Sequence, residues 1–308
     1  MKRGCCMAFL HNDKEQFSDA INLTAYQTGV MAQAVEKDYY VSLILRKLAQ
    51  RIPFIVFKGG TSLSKCHGVI KRFSEDIDIT IDTEITQGQK QRVKSAIVEI
   101  AAELDMVVIN LNETHSRRDY NRYIIAYPSV LPTASDAVQS AVLLETSFKT
   151  VSFPTVELPV RSYIGTMMES EAPDLIKDFE LEPFSMKVQG LDRTLADKIF
   201  AICDYYMQNT VQKHSRHLYD IHMLLPLVPL DENFRELMRD VREDRKASPV
   251  CVSAQDEVDI PAVLQQIIKE NVYRSDYNNL TTQLLEEPIA YETVIDSLRQ
   301  VASQLTFD

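Results

Sequence analysis

At 308 residues the chain has room for one large domain or two modest ones, either able to bury a proper core. Its 45% hydrophobic and 25% charged residues exclude wholesale disorder, and no run approaches the roughly 18 apolar residues of a membrane span. The net charge of −11 is uneven: from Pro229 to Asp308 there are 16 acids against 8 bases, which excludes a wholly basic chain but leaves room for a local basic groove in the first three-quarters. The five cysteines form no CxxC pair, and the opening MKRGCCMAFLHND lacks a signal-peptide core. A soluble cytoplasmic protein with reduced thiols and no membrane partner is the expectation.

In chain order, residues 15 to 50 carry helical spacing, with Val41, Leu43, Ile44 and Leu48 on one face. Pro53 ends that helix, and Phe54 to Phe57 is a short apolar run expected as a buried strand. Lys58-Gly59-Gly60 turns the chain into a second helix, expected to start at Thr61 or Ser62. Ile77, Ile79 and Ile81 alternate with Asp76, Asp78, Thr80 and Asp82, a period of two and so a strand. Residues 87 to 104 return to helical spacing; 107–109, 123–126 and 141–148 read as strands, for a mixed sheet of four or five. The stretch from Thr150 to Leu191 holds four prolines and marks the boundary region. Beyond it come a helix from Asp192 or Thr194, another over 215–225, and two or three more after residue 229. The fold class expected is α+β: a mixed sheet flanked by helices over residues 1–185, then a mostly helical portion over 186–308.

The constellation that carries chemistry is KGGTSLSKCHGVIKRFSEDIDI, residues 58 to 79. Two of only eight glycines stand together at Gly59 and Gly60, where backbone N–H groups can approach a phosphate. The helix N-terminus behind them adds partial positive charge, and Thr61 and Ser62 add hydroxyls. Asp76 and Asp78, two apart on a strand, project from one face as hard oxygen ligands suited to Mg²⁺ or Mn²⁺. Glu145, in the strand pattern VLLETSF, completes a three-carboxylate metal site if its strand lies beside that of Asp78. Asp78 or Glu145 is then also placed to activate an acceptor hydroxyl. Lys58, Lys65 and Arg72 flank the turn. Arg72 either counters Glu75, Asp76 and Asp78 or meets a phosphate, and Ser74 tightens the entry to the strand.

These residues resemble the signature of the DNA-polymerase-β-like nucleotidyltransferases, and more narrowly the AbiEii/AbiGii toxin family. The resemblance rests on VEKDYYV (35–41), FKGGTSLSKC with RFSEDIDI (57–79), LADKIFAICD (195–204) and SRHLYDIHML (215–224). It implies a nucleotidyltransferase core with a helical C-terminal portion. It implies metal on Asp76 and Asp78, triphosphate on Gly59, Gly60 and Ser62, and a later lysine and aspartate at Lys198 and Asp220. It also implies a toxin of an abortive-infection toxin–antitoxin system, NTP as substrate, an acceptor such as a tRNA 3′ end, and a cognate antitoxin. Fifteen residues separate Gly60 from Asp76, more than the family interval, so a longer intervening helix is expected.

On physical grounds Lys198 borders a buried helix face, where it either snorkels to water or meets phosphate. Asp220 has Arg216 four residues earlier, so an intrahelical ion pair competes with a role in the site. Lys213, Arg216 and His217 form a short basic cluster, and Tyr39, Tyr40, Tyr120, Tyr123, Tyr127, Tyr205, Tyr206 and Tyr219 either stack on bases or, as most tyrosines on apolar faces do, fill the core. Two other readings stay open: transfer to a small molecule or protein hydroxyl, and an NTP-binding module without turnover. The intact carboxylate set weighs against the second.

Overall fold

A computed structural model of the chain describes residues 9–72, 74, 76–132 and 140–305. Helices α1 (Lys14–Thr28) and α2 (Ala32–Arg51) lead into β1 (Ile55–Lys58), α3 (Gly59–Lys65), β2 (Ile77–Ile81), α4 (Gln87–Glu103), β3 (Val107–Val108), β4 (Tyr120–Ala126) and β5 (Ala141–Val151). Then follow β6 (Thr155–Val160), α5 (Tyr163–Glu171), β7 (Phe184–Gln189), α6 (Leu191–Met207), α7 (Arg216–Leu224), α8 (Glu232–Lys246), α9 (Ile260–Glu270), α10 (Arg274–Asn279) and α11 (Tyr291–Gln304).

The strands form one mixed sheet in the order β3-β4-β5-β2-β1-β7-β6. The α+β class holds, and the sheet is larger than expected. Strands β6 and β7 arise in the proline-bearing stretch read as a boundary. β6 lies at the sheet edge, where Pro159 removes a donor the ladder does not need. β7 pairs parallel with β1 at Phe57 and Val188 and passes almost directly into α6.

Three other expectations are corrected. The single helix over 15–50 is two, because Gly29 takes the left-handed conformation at φ 71° and caps α1, its N–H donating to Ala25. The helix after the glycine turn starts at Gly59 itself, and it is short, seven residues. The described residues between Lys65 and Asp76 are non-helical and do not extend α3. Four helices, not two or three, follow residue 229 among the described residues.

Two hydrophobic clusters organise the packing. One gathers α1, α2, α4 and the sheet, from Leu10 to Met186. The other is built on α6 to α11, from Leu195 to Leu305, and it also takes in Leu63 of α3 and Ile70 just beyond it. The segment carrying the glycine turn is therefore tied to both. No described helix is long and apolar enough to cross a membrane.

Candidate active site

The register of four neighbouring strands sets the site. Lys58 pairs with Asp78 across β1 and β2, Asp78 with Glu145 across β2 and β5, and Glu145 with Arg122 across β5 and β4. Directly paired residues share a face, so the four form one charged row at roughly 4.8 Å per strand. Alternation explains the face chosen: Leu144, Thr146 and Phe148 are buried on one side of β5, while Glu145 and Ser147 stay partly open on the other. The condition on Glu145, that its strand lie beside that of Asp78, is met. Asp76 enters two residues before Asp78.

The two glycines seat two charged side chains. At Gly59, φ is 80° and a Cβ would stand 2.0 Å from Asp78 Oδ2. At Gly60 it would stand 2.5 Å from Arg72 Nη2 and 2.8 Å from Ser74 Oγ. Gly59→Ala therefore combines left-handed strain with a carboxylate clash. It is expected to cost about 1–3 kcal/mol of stability and to displace Asp78 from the row; a melting curve and a transfer assay on the same preparation check both.

Asp220 is fully buried on α7 and holds two cations. Arg72 donates through Nε at 2.7 Å and through Nη2 at 2.9 Å, and Lys198 of α6 approaches at 2.8 Å. Burial alone would raise the Asp220 carboxyl, but Arg72 and Lys198 hold it far below the usual range. Burial lowers the Lys198 ammonium, with Asp220 opposing. Arg216 is not the partner of Asp220; the long-range pair displaces the intrahelical one. Lys198 also acts on Asp78, so the α6/α7 pair faces the carboxylate row.

Asp78 is the strained member of the row. Burial pushes its carboxyl up to about 6, Glu145 and Asp76 push the same way, and Lys58 and Lys198 only partly relieve it. Such crowding of anions is what a bound cation relieves. Among the described residues no three His, Cys, Asp or Glu side chains are already gathered as a metal cage. Mg²⁺ does not need one, since it takes one or two carboxylates and completes its shell with water and substrate phosphate. The all-oxygen donors of Asp76, Asp78 and Glu145 fit that ion.

Other expected residues stand differently. The Ser62 hydroxyl is buried and donates to the Gly59 carbonyl at 2.9 Å, so it braces the turn. Thr61 is hydrogen-bonded to Ser74 at 2.9 Å, which ties α3 to the entry of β2. Lys65 forms an ion pair with Asp38 of α2. It lies with Thr61, Ser64, Arg72 and Ser74 along a cavity of about 750 Å³ whose lining includes neither Asp78 nor Glu145. Glu75 lies outside the described residues. Sequence reasoning missed Arg122, whose Nε is 3.7 Å from Glu145 Oε1, and the contact of Tyr120 with Glu145. Period two in YNRYIIA puts both on one face, a usable signal once β4 is known to flank β5.

A glycine turn at a helix start, in register with paired carboxylates and closed by a lysine–aspartate pair from a helical lobe, defines a nucleotidyltransferase. The chain belongs to the AbiEii family: residues 43–301 match the family described as nucleotidyl transferase AbiEii toxin, type IV toxin–antitoxin system. It is a nucleotidyltransferase toxin of the AbiEii type. Its fold is similar to that of MenT4, a nucleotidyltransferase toxin from Mycobacterium tuberculosis, with a TM-score of 0.50 and 16% identity over 92% of this chain and 88% of that one. No curated protein sequence matches the chain.

Proposed function

We propose that the protein transfers a nucleoside monophosphate from a Mg²⁺-bound NTP to the 3′ end of an RNA such as tRNA, acting in the cytoplasm as a toxin opposed by a cognate antitoxin. The observation that carries this reading is the register of Asp78 with Glu145 beside the Gly59 turn. The proposed division of labour follows the two lobes, with residues 1–185 supplying the turn and carboxylates and 186–308 supplying Lys198 and Asp220. Asp76, Asp78 and Glu145 would hold the metal, which when bound neutralises charge building on the phosphates. Gly59 and Gly60 present the first amides of α3 to the triphosphate. Lys198, oriented by Asp220, receives the charge of the departing pyrophosphate. Glu145, braced by Arg122, accepts the proton of the acceptor hydroxyl.

An RNA acceptor is favoured by the loop before β4. Lys94, His115, Arg117 and Arg118 line one shallow cavity there, and the strand it feeds carries Tyr120 and Arg122 to the row. Cations leading to an aromatic ring form a track for a phosphate backbone. Incubation with each labelled NTP, Mg²⁺ and total tRNA is expected to label RNA, and EDTA to prevent it. Label appearing instead on protein or on a small molecule would reassign the acceptor, and no label anywhere would overturn the reading.

A further inference from the structure

Beyond Lys198 and Asp220, α6, α7 and the connection between them carry three parallel rings that the chemistry above leaves unused. Tyr205 follows Lys198 by seven residues, so it lies on the same face of α6 about 10 Å further along. His217 precedes Asp220 by three residues on α7 and shares its face. The Lys198–Asp220 pair thus stands at one end of a strip, with His217 close beside it and Tyr205 at the far end. That span suits one ribose between a triphosphate and a base.

The rings are flat to one another. Tyr205 and His214 stack at 3.5 Å with planes 8° apart. His217 lies 5.7 Å from Tyr205 and 6.1 Å from His214, parallel to within 6° and 2°. At those separations parallel rings stand beside one another instead of overlapping, so Tyr205 and His217 form a floor with His214 backing the tyrosine. Tyr205 is half-buried, and His217 is 9% exposed. The Nδ1 atoms of both imidazoles are buried with no hydrogen-bond partner, unlike the satisfied polar atoms of an ordinary core. Arg216 makes no ion pair or hydrogen bond among the described residues, yet its charge acts on Tyr205 and on both imidazoles. Glu145 acts on Tyr205 as well, which places the ring within electrostatic reach of the carboxylate row. Burial, with Lys198 beside it, keeps His217 neutral, so the floor adds π surface without adding charge.

We propose that Tyr205, backed by His214 and flanked by His217, is the ledge on which the base of the incoming nucleoside triphosphate stacks. This rests on the nucleotidyltransferase reading of the Asp78 site and names the group that holds the nucleoside half of its substrate. Stacking uses the face that every base shares, so affinity follows stacking strength, with purines ahead of pyrimidines. Calorimetry on the full chain with the Mg²⁺ complexes of ATP, GTP, CTP and UTP, and with inorganic tripolyphosphate, tests it. Tyr205→Ala is expected to weaken every NTP by roughly tenfold or more while leaving tripolyphosphate binding unchanged. Tyr205→Phe keeps the ring and is expected to keep wild-type affinity. Unchanged NTP binding in Tyr205→Ala would overturn the ledge, as would an equal loss for tripolyphosphate. Unchanged NTP binding with a raised KM for tRNA would place the acceptor's base there and overturn it too. A wild-type chain that binds no NTP would instead sink the underlying reading of the site.

Discussion

Replacing Asp78 with asparagine is expected to abolish nucleotidyl transfer, by roughly a thousandfold or more, while making the metal-free protein more stable. The amide has the shape of the carboxyl and keeps its seat against Gly59, so the fold has no reason to shift. What goes is a charge that the folded state resists, since the Asp78 carboxyl sits at about 6 under burial and the pressure of Glu145 and Asp76. Its folded pKa lies above the ordinary aspartate value near 3.9, so between those two values the native state binds the extra proton. Stability therefore falls as pH rises through that window, and the full penalty is present above about pH 6. Removing the charge at pH 7.5 returns up to about 3 kcal/mol, a rise in Tm of several degrees for a chain of this size. Thermal melts of both proteins at pH 5 and 7.5 without divalent cation read the difference, which shrinks at the lower pH. A lower Tm for the variant at pH 7.5, or retained transfer, would contradict this account of the row.

Replacing Asp220 with alanine has the opposite balance. Transfer is lost, and about 3–5 kcal/mol of stability goes with it, because two buried cations lose their shared counter-charge. Lys198→Met is milder for the fold, since Arg72 keeps its two-bond grip on Asp220. It still removes the ammonium that is proposed to meet the phosphates, so transfer is expected to fall. The depressed Asp220 pKa makes its contribution fully present above about pH 5, and it is lost as pH falls below the unfolded value near 3.9. Urea midpoints from pH 3 to 7 should show wild type losing stability on the acid side and Asp220→Ala losing less. Equal slopes in the two proteins would deny Asp220 this role.

The parts of the candidate site that lie in local patterns are legible in the sequence, and the long-range contacts that hold them are not. Gly59-Gly60, Asp76, Asp78 and Glu145 are readable because each lies in a local pattern: a turn before a helix start, or a period of two. The partnership of Arg72 with Asp220 was not, because 148 residues separate them and Arg216 offered a nearer candidate. Strand β6 stayed hidden because Pro159 argues against a strand unless the edge position is already known. Gly29 marked the break between α1 and α2, but one glycine within a helical pattern is often tolerated. Arg122 needed the pairing of β4 with β5, and Ser62 needed the observation that its hydroxyl turns back to the Gly59 carbonyl.

The short segment from Leu63 to Arg72 belongs to both lobes: it grows from the sheet at β1, yet Leu63 and Ile70 are sunk in the helical cluster. Its polar stitches cross the same divide. The Lys71 N–H donates to the Tyr219 hydroxyl at 3.0 Å, the Glu286 N–H donates to the Lys71 carbonyl at 3.0 Å, and Arg72 bridges to Leu285. The carboxylates stand on the sheet and Lys198 and Asp220 on the helices of the second cluster, so this strip sets the spacing between the two groups. A change of about an ångström in that spacing is expected to lower transfer steeply, with the carboxylates, Lys198 and Asp220 all chemically unaltered.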